Sequence, residues 1–255
     1  MNSSNTMRIW IPVAQVALVA LSACGGQEPT SEEYDDIAAS VGAVVAEGPG
    51  SETEALRDTV EVAEGGVPTG MTREEQGTLV GRRGTLDYSF EVTCLDGEGV
   101  TQEICDETTD QATLAVEWTG EVDTARYDAT VNRTGNWQLT GLLSTEAKLD
   151  GAGTFDVQSE FVALFRSEMR TYMFDYDAEY DGVMIRMSDR RPVAGTIRYT
   201  IHAARTASRR FRDIERELDV SAVVTFQGDE PARVELDGQR SYLVNLSNGA
   251  VQLAN

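Results

Sequence analysis

Thr171-Tyr172-Met173-Phe174-Asp175-Tyr176-Asp177-Ala178-Glu179-Tyr180-Asp181-Gly182 is the stretch that decides the fold. Tyr172, Phe174, Tyr176, Ala178 and Tyr180 fall on every second position, with Asp175, Asp177 and Glu179 between them. Successive side chains of an extended chain point to opposite faces, so this run has an apolar face and an acidic one. Asp181-Gly182 ends it with a turn signal.

The same period recurs on both sides of this run. Leu86, Tyr88, Phe90, Val92 and Cys94 alternate with polar residues, as do Leu114, Val116 and Trp118. Tyr127, Ala129 and Val131, then Trp137 and Leu139, then Phe155 and Val157 carry the pattern forward. Ile197, Tyr199, Ile201 and Ala203 follow, and Leu218, Val220, Ala222, Val224 and Phe226 after them. Val234 with Leu236 and Tyr242 with Leu246 suggest a closing edge hairpin. Turn signals at Asp150-Gly151, Gly228-Asp229, Asp237-Gly238 and Asn248-Gly249 separate the runs. The expectation is a mainly β chain, an antiparallel meander of roughly ten strands curled like a barrel, a half-barrel or a sandwich. Residues 160–170 break the pattern and fit a short helix, a bulged strand or a loop.

Residues 25–75 read differently. They hold 13 acidic residues and two arginines, with glycine and proline at Gly48-Pro49-Gly50 and Gly65-Gly66-Val67-Pro68. Thr30 with Glu33 has capping-box spacing, and Ile37, Val41, Val44 and Val45 follow at helical intervals. Ser51 with Glu54 repeats the signal before Leu56, Val60 and Ala63. One or two short N-terminal helices are expected within an acidic tether spanning 24–75, ahead of a β domain at 76–255.

The 255-residue chain has a net charge of −22, which argues against nucleic-acid binding, since a phosphate backbone needs a clustered positive face. Ahead of the acidic region lies an address. Arg8 precedes an apolar run from Ile9 to Leu21, too short to span a bilayer, which takes about 20 residues, but long enough for a secretory signal. Leu21-Ser22-Ala23-Cys24 closes it. This resembles the lipobox of bacterial lipoproteins. The resemblance implies cleavage after residue 23, diacylglycerol on the Cys24 thiol, an acylated (palmitate-type) new amino terminus and attachment to the membrane by that anchor. Gly25 in place of an aspartate implies the outer rather than the inner membrane of the cell envelope. Tyr34-Asp35-Asp36-Ile37, Asn132-Arg133-Thr134-Gly135-Asn136-Trp137, Asp175-Tyr176-Asp177-Ala178 and Leu236-Asp237-Gly238 also resemble segments of uncharacterised exported lipoproteins of myxobacteria, a likeness that implies no activity.

With Cys24 assigned to lipid, Cys94 and Cys105 form an even pair in an exported chain. That reads as a structural disulfide stapling a turn-rich loop and contributing about 2–3 kcal/mol. Asp177, Glu179 and Asp181 followed by Gly182 partly match a calcium loop, although Ser188 stands where a bidentate glutamate belongs. The alternative for these residues is a solvated strand face. Residues 186–216 carry nine arginines against three acids. Arg209, Arg210 and Arg212 form the candidate anion site, against the plainer reading that these arginines offset an acidic protein. His202 has no nucleophile motif beside it, and no Walker loop or His-Glu-x-x-His motif occurs, so no catalytic residue and no cofactor is expected. The function expected is a non-enzymatic structural or binding role. The alternatives are a carrier with a hydrophobic pocket under a curved sheet and a carboxylate-dependent hydrolase.

Overall fold

The computed structural model describes residues 28–254 apart from 49, 75–76, 125–126, 163–168 and 210–211. Two helices, α1 (Ser31–Val45) and α2 (Glu52–Ala63), precede thirteen strands. These are β1 (Met71–Arg73), β2 (Thr78–Arg83), β3 (Leu86–Asp96), β4 (Thr101–Gln102), β5 (Thr109–Thr124), β6 (Tyr127–Thr140) and β7 (Glu146–Val162). They continue with β8 (Met169–Arg186), β9 (Arg191–Arg209), β10 (Arg212–Thr225), β11 (Ala232–Leu236), β12 (Arg240–Val244) and β13 (Val251–Leu253).

All thirteen join one antiparallel sheet in sequence order from β1 to β13, with β4 set aside as a short partner of β3. The sheet is an open, curled meander whose two ends do not pair with each other. Three strands of two or three residues account for most of the excess over the expected ten. The hairpin β11–β12 forms as read, but β13 covers its outer edge. The irregular stretch near 160 resolves into the ends of β7 and β8; 163–168 lie outside the described residues.

Alternation places the inward set as expected. Tyr172, Phe174, Tyr176 and Tyr180 are at most 3% exposed, whereas Met173 between them is 52% exposed. Trp118 meets Trp137 at 5.8 Å and Tyr88 at 5.7 Å, and Tyr176 meets Tyr199 edge-on at 5.9 Å. Gly135 makes room for this packing: a Cβ there would stand 2.9 Å from both the Trp137 ring and Val116. Its cross-strand neighbours Gly153 and Ala178 are also small, so the inner face dips where the indoles lie.

The helices fill the concavity. Thr30 caps α1 with a full capping box on Glu33, and the Ser51 hydroxyl accepts the Glu54 N–H at the start of α2. Ile37, Val41 and Val45 of α1 and Leu56, Val60 and Val62 of α2 are fully buried. Gly42 lets α1 press on the last strand, since a Cβ there would meet Val251 at 2.5 Å.

This corrects the expected division at 75/76. One hydrophobic cluster contains both helices and the sheet, so residues 31–63 are core rather than tether. The reason is chemical. Ile37, Val41, Leu56 and Val60 pack on the sheet, and Glu33, Glu52, Glu54 and Asp58 of this segment meet arginines of the sheet.

Candidate functional site

The seam between helices and sheet gathers the buried charge of the protein. At its centre Arg133 of β6 is paired with Glu52 at the first position of α2, and both side chains are at most 2% exposed. Arg133 Nη2 also donates to the Tyr180 hydroxyl at 2.7 Å, and the Tyr199 hydroxyl donates to Glu52 at 3.3 Å. The guanidinium lies 4.9 Å from the Trp118 ring, 5.3 Å from Phe155 and 5.7 Å from Trp137, an aromatic box for a cation. Burial works against the charge on Arg133, but Glu52 together with the Tyr180 and Tyr199 hydroxyls more than offsets it, so the guanidinium stays charged. Burial pushes the Tyr180 and Tyr199 hydroxyls well above their ordinary range, so both remain neutral. Glu52 Oε1 and Arg133 Nη1 lack hydrogen-bond partners, so the pair is incompletely satisfied.

Three further contacts extend the seam. Glu33, 1% exposed, receives Arg205 at 3.0 Å and Arg216 at 2.7 Å. Burial opposes its charge, but the Thr30 N–H and hydroxyl and the two arginines hold its carboxyl below the usual range. Arg83 of β2 is paired with Glu54 and with Asp58, the latter at 3.1 Å. Burial raises Asp58 to about 6 against the pull of Arg83. Arg190, in the turn between β8 and β9, holds Glu61 at 2.9 Å and Glu64 at 2.8 Å. Tyrosine hydroxyls complete the attachment of α1: Tyr34 to Asp237, Tyr172 to Asp36, Tyr242 to Asp35, and Tyr176 with Ser40.

Glu54 and Asp58 converge, as the hydrolase reading requires of two carboxylates. Their meeting point is Arg83, whose guanidinium pairs with both carboxylates.

The other expected residues are placed as follows. Asp177, Glu179 and Asp181 sit at alternate positions of β8 on its exposed face, and among the described residues no acidic, histidine or cysteine group could hold a metal. Alternate residues of a strand lie roughly 6.6 Å apart and diverge in parallel, so they cannot close on one ion. The calcium-loop reading is thereby corrected; Glu179 lies opposite Arg198 in register, and Asp181 pairs with Arg198 at 2.8 Å. Most of the arginine island is accounted for by acids of the same chain. Arg186 pairs with Asp189 and Asp229, Arg190 with α2, and Arg205 and Arg216 with α1. Arg209 and Arg212 end β9 and β10 opposite each other, and Arg210 lies outside the described residues. His202 is exposed beside Asp219 at 2.6 Å, on the outer face that its parity implied. Cys94 and Cys105 stand at disulfide distance, with Cα atoms 5.4 Å apart. Cys24 lies outside the described residues.

The sequence reading of the 186–216 arginines as offsetting acids holds for Arg190, Arg205 and Arg216, whereas it missed Arg83 and Arg133, although a signal for buried arginines was present. Arg133 shares the parity of Val131, Gly135 and Trp137, Arg205 that of Ile201 and Ala203, Arg216 that of Leu218, and Arg83 that of Leu79. A charge on the apolar parity of a strand asks for a buried partner.

Two clefts on the surface are formed by described residues. One of about 390 Å³ is lined by Thr78, Glu91, Val92, Thr93, Thr113 and Ala115. The other, of about 360 Å³, is lined by Ala204, Arg205, Thr206, Glu215, Arg216 and Glu217. Neither holds the apolar lining of a lipid site. Comparison with protein-family models, curated proteins and solved structures finds no match to this chain.

Proposed function

We propose that the protein is a lipid-anchored envelope protein with a non-enzymatic structural or binding role, attached through Cys24, with the outer membrane as its address. The observation that carries the non-enzymatic part is the filled concavity. The space where a curved sheet would take a ligand holds the chain's own helices, clamped by Glu33, Glu52, Glu54 and Asp58. The leader, the apolar run and Leu21-Ser22-Ala23-Cys24 support the anchor. Two or more acyl chains suffice for stable attachment.

The test is fractionation of cells expressing the wild type and Cys24→Ser. Wild type in the membrane fraction and the variant in the soluble fraction is the expected result. A variant that stays with the membrane overturns the anchor.

A carrier remains the second reading because the inner wall under the helices is aromatic: Trp118, Trp137, Phe155 and Tyr176. It requires the helices to leave, which breaks buried ion pairs. Mass spectrometry of the purified protein tests it, a stoichiometric lipid other than the anchor being the result that favours it.

A further inference from the structure

Exposed apolar side chains are unevenly placed on this protein. Among the described residues the large ones are Val67, Val100, Ile104, Leu143, Met173, Leu243 and Leu253. The last three lie on three different strands, β8, β12 and β13. The first four lie in connections: Val67 between α2 and β1, Val100 between β3 and β4, Ile104 between β4 and β5, and Leu143 between β6 and β7. Contacts draw these connections together. A Cβ on Gly97 would stand 3.6 Å from the Leu143 side chain, and one on Gly65 would run into the Cys105 carbonyl. The Leu142 N–H donates to the Asp110 carbonyl at 3.1 Å. The outcome is an apolar rim in which Val100 is 58% exposed, Ile104 53% and Leu143 56%. Single exposed apolar residues are ordinary, whereas gathered ones mark an interaction surface.

The connection that carries Val100 and Ile104 is held in shape from within. Cys94 and Cys105 pin its two ends. Asp96 Oδ1 accepts the N–H groups of Glu98 and Val100, both at 2.9 Å. Gln102 Nε2 donates to Asp106 at 3.0 Å and to Thr108 at 2.8 Å, and the Thr109 hydroxyl donates to Gln102 Oε1 at 2.6 Å. These polar groups are satisfied inside the loop, and the apolar side chains are left outside it. A loop ordered in advance loses little conformational entropy when a partner binds.

Charge decides what fits. Residues 95–110 hold six acids and no base. Glu98, Glu103 and Glu107 are exposed, and among the described residues no arginine or lysine pairs with them. Other acids are matched from within the chain, Glu61 and Glu64 by Arg190, Asp189 and Asp229 by Arg186. At this rim the matching cation has to come from outside. An anionic bilayer would be repelled. A second copy docked through the same patch would set these acids against themselves.

We propose that this rim is the docking surface for a protein partner that presents apolar side chains flanked by lysine or arginine. The proposal rests on the binding half of the proposed role and does not depend on the Cys24 anchor.

The test uses the full chain, purified in mild detergent, and three synthetic helical peptides. They share one leucine pattern and carry lysine, glutamine or glutamate at the polar positions. Fluorescence anisotropy reads binding, and amide hydrogen exchange maps the contact. The lysine peptide should slow exchange at 96–107 and 141–146 and leave 175–181 unchanged. The other two peptides should bind about ten-fold more weakly or not at all. Val100→Ser with Leu143→Ser should weaken the lysine peptide about ten-fold, with protection at 197–201 reporting that the fold is kept. Glu98→Gln with Glu103→Gln should weaken it too. Asp175→Asn with Asp177→Asn, which removes the same charge from the outer face of β8, should not. A lysine peptide that does not bind, that binds the rim variants as tightly as wild type, or that protects 175–181 overturns the docking surface and leaves a structural role standing. Protection of 96–107 that grows with protein concentration alone assigns the rim to a second copy, and protection by phosphatidylglycerol vesicles assigns it to the membrane; each overturns the proposal. Fractionation of Cys24→Ser is read separately, so none of these outcomes bears on the anchor.

Discussion

Arg133 and Arg198 both reach a carboxylate from the middle of the sheet, one on its inner face and one on its outer face. Arg133 is 2% exposed and meets a Glu52 with no exposure at all, whereas Arg198 is 48% exposed and meets an Asp181 that is 61% exposed. Outside, water already solvates both charges and salt screens them, so forming the pair changes little. Inside, each charge depends on the other, because no solvent can replace a lost partner. The Glu33 contacts with Arg205 and Arg216 fall between, with arginine side chains 12% and 16% exposed. Burial, more than distance, decides what an ion pair does for this protein. The buried ones determine where the helices sit.

The largest expected effect is at the centre. Arg133→Met should cost about 3–5 kcal/mol in denaturant unfolding, because it strands the Glu52 carboxylate among aromatic rings. Adding Glu52→Gln should recover part of that loss. A double variant no more stable than Arg133→Met would break the argument that the unpaired charge is the cause. Glu33→Gln comes next, at about 2 kcal/mol, since it weakens charge-assisted bonds that still have some access to water.

Acid titration sharpens the comparison by sign. Glu33 has its carboxyl lowered in the folded state, below 4.5. Its contribution is therefore complete above about pH 4.5 and is lost as the pH falls through the lower folded value. Asp58 is raised from 3.8 to about 6, so the folded state holds its proton more tightly. Its ionisation opposes folding above pH 6, and that penalty lifts as the pH falls from 6 towards 4. Asp58→Asn should flatten the stability profile between pH 4 and 6 and leave the acid limb below 4.5, which Glu33→Gln should flatten instead. The smallest effect is expected outside. Arg198→Ala should leave the thermal midpoint unchanged, and a clear drop would mean that outer-face pairs matter as much as inner ones.

How much of this could be read in advance varied by feature. Strands were legible wherever one face is buried and the other wet, as in Tyr172–Tyr180, because period-two alternation is the direct trace of that geometry. The helix starts at Thr30 and Ser51 were legible because capping is local. The role of residues 31–63 was not. An acidic, glycine-punctuated segment has the composition of a solvated tether; its apolar helix faces bury against the sheet, and the facing arginines take up the acids that go in with them. The partial calcium match at Asp177, Glu179 and Asp181 gives way to its alternative, a solvated strand face, for a related reason: spacing in sequence says nothing of convergence when the chain is extended.

The sequence by itself determined the strand faces, the turn positions and the two helix caps, all set by neighbours within a few residues, and the count of cysteines pointed to the Cys94–Cys105 pair. It also carries Leu21-Ser22-Ala23-Cys24, on which the proposed lipid anchor rests. The tertiary structure decided that the helices lie inside the curl, that Glu52 meets Arg133 across 81 residues, and that the sheet stays open. These depend on which distant carboxylate finds which inward arginine once water is excluded. Periodicity along one strand cannot encode that choice, because the energy of a buried pair belongs to both partners at once.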